Sequence, residues 1–427
     1  MSGLRNLGYD DLVVCYIVGI LTDVSAERSL TALRDLVRSP GGAMLHRLRT
    51  ERGRWKRVER DQALAAVPLA LEVTDQELAP EALVARALET DFPPGRLPVR
   101  IYLSGGVLAF ALPHTLFDGT GATAVVSAVV DKLARPGADD RPALPVARTP
   151  LRRTLKKVGQ RGVGAVLEAR RTFRALTAQT ETGYQFPRTL TKAESVRRTR
   201  MVSMVLARDV VRTIAATPEN AVDGGRPARP PVSVKTASLV LRYLRDVDRE
   251  QVDFRVVVPV DARRWVERGV EVEGNFSPSI PMGRLLVDDW SATALAQRIS
   301  ASTKAGVPVL WLLASTLVSL KEAVRHPLAS RRPAAEAPRV PVEIHVSLPA
   351  TEVTVDESLL PQVDDRTFVG GAPAHRRLPL GVWVEIAPLR DCLHVIIRDE
   401  TGVFDLDAFP ERFTAMIAAA AEAGGPR

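Results

Sequence analysis

The sequence predicts an α/β protein with mixed sheets, folded as two lobes. Apolar, β-branched runs such as Val107–Leu112 read as strands, separated in some places by segments of helical spacing and in others by glycine turns. A length of 427 residues also exceeds what one hydrophobic core commonly serves.

Leu12–Val18 is a strand by its β-branching. Ser25 caps a helix with Glu27 in its first turn, and Leu30, Leu33, Leu36 and Val37 keep a helical period. Met44, Leu45 and Leu48 start a second helical piece after Pro40-Gly41-Gly42, and Gly53–Val58 forms a polar strand. Glu81–Leu88 is a short helix ended by Pro93-Pro94-Gly95. Val99–Leu103 and Val107–Leu112 flank Ser104-Gly105-Gly106, which is a hairpin signature. Ala122–Leu133 is helical, and residues 137–150 are a loop. The polar stretch 175–200 carries the main lobe boundary, giving lobes of 1–180 and 181–427.

In the second half, Met201–Leu206 and Phe254–Val260 read as strands, and 208–215, Thr236–Leu244 and Trp290–Ser302 as helices, with a loop at 217–231. Val340–Val346 is a further strand. Leu380–Ile386 and Cys392–Ile397 are antiparallel partners, and a closing helix runs from Phe409 to about Ala421.

The formal charge is +8 with a pI near 9.8, which suits nucleic acid, an anionic membrane face or an acidic ligand. Aromatic residues are 5% of the chain and no aromatic stripe interleaves with the arginines, which argues against nucleic acid. Cys15 and Cys392 are the two cysteines, too few for a zinc site of cysteines alone, and both sit in apolar runs as reduced core residues. Asp10 and Asp11 break any signal-peptide pattern, so a cytoplasmic location is the expectation.

Two segments hint at a partner. Arg152, Arg153, Lys156, Lys157, Arg161, Arg170, Arg171 and Arg174 face one acid, Glu168. That stretch is either a solvated helical face or a contact for a phosphate-bearing ligand, an acidic protein or a membrane. The near-apolar run 305–320 is 16 residues long, short of a spanning helix. It is a buried helix, a monotopic contact at the inner membrane face, or the wall of an acyl tunnel.

His114 stands apart from the other five histidines because Asp118 and Gly119 follow it at fixed spacing, on a strand-to-helix connection. Imidazole titrates near neutrality and can take a proton from a hydroxyl or amine attacking a carbonyl. Asp118 either orients the ring, as in a triad, or holds the loop through an arginine. Gly119 lets the backbone pass close to the helix start.

The segment Pro113-His114-Thr115-Leu116-Phe117-Asp118-Gly119 resembles the HxxxDG motif of the chloramphenicol acetyltransferase-like superfamily. That superfamily includes peptide-synthetase condensation domains, polyketide-associated acyltransferases and wax ester synthase/diacylglycerol acyltransferases. More loosely, Leu45–Arg49 with Gly53-Arg54-Trp55 looks like the region between their first helix and second strand. Val258-Pro259-Val260-Asp261-Ala262-Arg263 is similar to their PVxxR strand end, and Gly274-Asn275-Phe276 to their Gly-Asn element. The chain departs from the wax ester pattern at Pro113, where that branch commonly has a first histidine.

The resemblance implies two chloramphenicol acetyltransferase-like lobes with an active-site tunnel between them and His114 at its centre. It implies a general-base transfer of an acyl group from acyl-CoA or acyl-phosphopantetheine on a carrier protein to a hydroxyl or amine, with no metal and no bound cofactor. It implies that Asp118 is structural and paired with Arg263, and it brings Asn275 to the site. The acceptor is a lipid or secondary metabolite by the same analogy; the apolar run 305–320 and the valine- and leucine-rich second lobe, as a tunnel lining, suit a medium or long acyl chain. Ser347, at the end of a strand, is a candidate for the oxyanion. The alternative is a non-catalytic, condensation-like module that binds acyl-carrier protein.

Overall fold

The computed structural model describes residues 12–19, 21–51, 53–74, 77–137, 150–160, 162–178, 200–217, 230–266, 272, 276–314, 317, 342–349, 355, 357–360, 368–375 and 381–423. Two mixed-sheet α/β lobes make up the fold.

The first sheet has five strands: β1 (Leu12–Gly19), β4 (Leu71–Val73), β5 (Arg100–Ser104), β6 (Val107–Pro113) and β11 (Phe368–His375), in the order β11-β1-β6-β5-β4. β2 (Arg47–Arg49) and β3 (Trp55–Arg57) form a separate two-stranded ribbon, so Leu48 lies in a strand instead of the expected helical piece. The preceding Pro40–Leu45 segment is a single short 3-10 stretch. Helices α1 (Ala26–Arg38), α2 (Arg60–Ala66), α3 (Pro80–Leu88) and α4 (Gly119–Ala134) accompany this sheet. Ser25 caps α1 by accepting from Arg28 N at 3.2 Å.

The first sheet sorts its side chains by strand alternation. Val14, Tyr16 and Val18 of β1, with Leu108, Phe110 and Leu112 of β6, pack against α1 and α4. Val13, Cys15 and Ile17 point the other way, into a cluster with α3 and with Ile396 of the second half.

The second sheet has six strands: β7 (Arg200–Leu206), β8 (Arg255–Pro259), β9 (Ser279–Arg284), β10 (Glu343–Ser347), β12 (Gly381–Leu389) and β13 (Cys392–Asp399), in the order β7-β13-β12-β10-β8-β9. Ile344, Val346, Val382, Val384, Val395 and Ile397 fill one face, a core shared with α7 (Arg208–Ala216), α8 (Val232–Val247), α9 (Ala292–Ala305) and the closing helix Phe409–Ala423. Glu343, His345, Ser347, Trp383 and Glu385 alternate onto the opposite face. That face looks toward the first lobe: Ile396 on it joins the cluster around β1, and the charge of Glu385 acts on Cys15 and Tyr16.

The first lobe is not made of residues 1–180 alone. β11 pairs antiparallel with β1 from Leu12↔His375 to Gly19↔Phe368, and Val355, Leu359 and Leu360 enter the first lobe's core. Between the lobes in sequence lies a helical hairpin, α5 (Pro150–Gly159) and α6 (Val163–Ala178). Its α5 leg packs Leu151, Leu155 and Val158 against Trp265, Val266 and Phe276. The loops expected within 137–150 and 217–231 lie almost wholly outside the described residues. Of the apolar run 305–320, residues 307–314 are helical, with Val307, Val309 and Leu312 buried, and most of the rest is outside the described residues. Among the described residues, no helix is long and apolar enough to cross a membrane.

Candidate active site

β6 is buried along its whole length and delivers His114 directly after its last residue, Pro113. The chain then reverses in one tight turn, with Leu116 N and Phe117 N both donating to Pro113 O at 3.0 and 3.1 Å. Thr115 and Phe117 are buried, and Phe117 is anchored in the first lobe's core. His114 is thus half-buried on a turn held from both sides. Burial pushes its imidazole pKa below the ordinary value, opposed by a hydrogen bond to its own backbone and by the charge of Asp118. The neutral ring, the form able to accept a proton, is therefore favoured at neutral pH.

Asp118 is completely buried and caps α4. Its Oδ1 accepts from Gly121 N at 3.0 Å. Its Oδ2 accepts from Arg263 Nη1 at 2.6 Å, Phe276 N at 2.9 Å and the Ser277 hydroxyl at 3.1 Å. Burial alone raises this carboxyl's pKa, but the Arg263 charge and the hydrogen bonds outweigh it and hold the group below the usual carboxylate range. Four donors thus surround the carboxylate, three of them on Oδ2. The carboxylate is paired with Arg263, the geometry that the arginine-held role calls for.

Arg263 reaches this pair from the turn after β8. Asp261 caps that turn by accepting from Arg263 N at 2.8 Å, and the guanidinium also contacts Asp261 Oδ1 at 3.2 Å and Val272 O at 3.2 Å. Burial lowers the guanidinium pKa, and the two aspartates reverse that, leaving it above its ordinary value. One carboxylate therefore joins the helix start of the first lobe to a turn of the second.

Gly119 opens α4 and its carbonyl accepts from the Tyr16 hydroxyl at 3.4 Å. A Cβ at Gly119 would meet nothing within 4 Å, so close backbone packing, the reason expected for this glycine, does not apply. Ser347 ends β10 on the same face as His345, half-buried, in register with Glu385 of β12. Asn275 lies outside the described residues.

Sequence reasoning missed four contributors. Tyr16 accepts from Thr123 Oγ1 at 2.9 Å, tying β1 to α4 behind the motif. Phe276 N and Ser277 Oγ complete the shell of Asp118. Glu385, 3% exposed, faces β1 across the lobes. Tyr16 left a signal, a hydroxyl within a buried apolar strand that needs a partner; a backbone N–H leaves none.

His345 lies 3.3 Å from Glu343 and stacks on Trp383. Cys15 and Cys392 are both free thiols, on different sheets, and burial pushes the Cys15 pKa up to about 12. Among the described residues, no group of three or more His, Cys, Asp or Glu is placed to hold a metal ion.

No family model and no curated protein sequence matches the chain. Solved structures do. The nonribosomal peptide synthetase FmoA3 matches with a TM-score of 0.60 at 15% identity, over 100% of this chain and 44% of that one. The chain thus spans less than half the length of that synthetase. The first condensation domain of the CDA synthetase matches with a TM-score of 0.56 at 16% identity, over 99% of this chain and 95% of that one. The chain has the condensation-domain fold. The SgcC5 protein from Streptomyces globisporus, in complex with (R)-(-)-1-(2-naphthyl)-1,2-ethanediol and sucrose, shares it with a TM-score of 0.51 at 14% identity, over 97% and 92% of the two chains. Of the branches the motif resembles, these matches bear on condensation domains, and not specifically on chloramphenicol acetyltransferase or the wax ester synthases.

Proposed function

We propose that this chain transfers an acyl group from a phosphopantetheine thioester to a nucleophilic acceptor, with His114 as general base. The observation that carries the reading is the rigid turn at the end of β6. It holds a half-buried imidazole in its neutral form while Asp118 is engaged elsewhere.

In this reading His114 Nε2 takes the proton from the acceptor as its oxygen or nitrogen attacks the thioester carbonyl. The tetrahedral intermediate collapses, the carbon–sulfur bond breaks, and the departing thiolate takes the proton back from the imidazolium. The new ester or amide and a free thiol leave with no covalent enzyme intermediate. Asp118 and Arg263 are positioning residues that fix the turn. Ser347 is proposed as the donor to the carbonyl oxygen, supported by its place on the lobe-facing side of β10. Gly119 leaves open space beside the turn, room that a substrate can use. Asn275 is retained from the motif resemblance.

A carrier-protein thioester is the favoured donor, because the folds matched include domains of peptide and polyketide synthetases. Acyl-CoA carries the same phosphopantetheine arm and stays as the second donor. The diol in the SgcC5 structure makes a hydroxyl of a secondary metabolite the first acceptor to try, with an amine next.

The test is acceptor-dependent thiol release from acyl-CoA and acyl-carrier thioesters. His114→Ala is expected to lower turnover on the order of a hundred- to ten-thousandfold with an unchanged fold. Because burial lowers the imidazole pKa, the acidic limb of the rate profile should have its midpoint below about 6.5. Undiminished turnover in the variant would sink the general-base role. Carrier binding without transfer to any acceptor would favour the non-catalytic module.

A further inference from the structure

We infer that His345 and Trp383 form a subsite for an aromatic ring of the substrate, an inference that rests on the acyl transfer proposed above. The two residues are direct partners in the register of β10 and β12, on the face of the second sheet that looks toward the first lobe. Their rings stack, with centroids 5.4 Å apart and planes 24° from parallel. Ser347 and Glu385 are the next pair on that face, two residues on, which is about 7 Å along a strand.

Two contacts with the first lobe bracket β10. On one flank Glu385, Ile396 and Arg398 are buried, Ile396 within the cluster around β1. On the other flank β8 pairs with β10 and leads into the turn whose Arg263 holds Asp118. These two strands are parallel, so Ser347 lies at the end where β8 enters that turn. Between the two contacts His345, Ser347 and Trp383 stay half-buried, and accessible surface remains along this strip.

Trp383 does not serve the apolar cores. Trp265, Trp290 and Trp311 each pack into an apolar cluster, whereas among the described residues Trp383 joins none. The core face of the same two strands is filled by Ile344, Val346, Val382 and Val384. Trp383 instead lies against a histidine whose Nε2 is 3.3 Å from Glu343 Oε2, and Glu343 is itself paired with Arg255. The imidazole is held by a carboxylate that is fixed in turn, so the two rings stand as one platform.

The chemistry of the strip selects the ligand. An alkyl chain lying along β10 would press on Glu343, His345 and Ser347 and strip their water without replacing its hydrogen bonds. A planar aromatic ring meets the stacked pair face to face or edge to face, geometries that a saturated ring of the same size lacks.

The experiment is equilibrium dialysis of the full chain against two matched pairs of probes. One pair is 2-naphthaleneethanol and its perhydro counterpart; the other is 2-naphthoyl-pantetheine and decahydro-2-naphthoyl-pantetheine. Wild-type protein is expected to bind the aromatic member of one pair about fivefold more tightly than the saturated member. A preference in the alcohol pair puts the ring on the acceptor, and a preference in the thioester pair puts it on the acyl group. In Trp383→Leu the ratio should fall to about one, and in Trp383→Phe it should persist. His345→Leu should lower the ratio as well, and it decides the matter if Trp383→Leu shows no melting transition. Taking the ratio within each protein separates a lost ring contact from a general loss of binding. Because binding is read without turnover, failure of His114 as general base would leave this outcome intact. Equal or absent binding of both members of both pairs by the wild type would overturn the inference. So would a preference that survives in both Trp383→Leu and His345→Leu.

Discussion

Asp118–Arg263 and Glu168–Arg171 are both carboxylate–arginine pairs, and their surroundings make them unlike. The first has side chains 0% and 19% exposed and spans 145 positions of sequence. The second has side chains 56% and 79% exposed and sits within one turn of α6. Buried charges must be paired and hydrogen-bonded in full, which is why Asp118 collects four donors from both lobes. Exposed charges are solvated whether paired or not, so Arg171 stays available to a partner while contributing little to folding. Position in the fold, more than charge, separates a group that builds the site from one that presents a surface.

The sharpest way to break this contrast is Asp118→Asn. It removes the charge facing Arg263 and is expected to cost about 3–5 kcal/mol in denaturant unfolding. The sign with pH follows from the depressed carboxyl pKa. The pair's stabilisation is present above the ordinary aspartate pKa and is lost as pH falls through the lower folded value. A loss below about 1 kcal/mol would make the buried pair no different from a surface one.

Tyr16→Phe tests the neutral side of the same turn. It strands the buried Thr123 hydroxyl and takes a donor from Gly119 O, with an expected cost of about 2 kcal/mol by the same measurement. At the small end, R170S/R171S/R174S should change unfolding free energy by no more than about 0.5 kcal/mol. A large destabilisation there would mean that the hairpin's arginines belong to the architecture.

What the sequence reveals follows the range of the interactions. His114, Asp118 and Gly119 stand out because they fall within six consecutive residues of one turn, and β5–β6 stands out because a glycine turn joins its strands. α1 is visible through Ser25 and its apolar period. The strand β11 is not, since Gly370, Gly371 and Pro373 are poor strand formers and its partner lies at the other end of the chain. β9 hides for a similar reason, carrying Pro281 and Gly283 beside a bulge. Arg263 was reached through the resemblance, whereas Phe276 N and Ser277 Oγ come to Asp118 by a folding of the chain that no local pattern encodes. The apolar spacing at Leu48 fits a helix, and its pairing with β3 makes it a strand instead.

The placement of β11 beside β1 also dictates an order of assembly. Until residues 368–375 are made, β1 keeps a row of backbone N–H and C=O groups with nothing on that side. Such an edge is a template for a strand from any chain nearby. Pairing over so long a loop is also slow, because the entropy of closure must be met before the contacts reward it. The growing chain therefore carries an aggregation hazard at β1, and its second half ends that hazard by supplying the clasp.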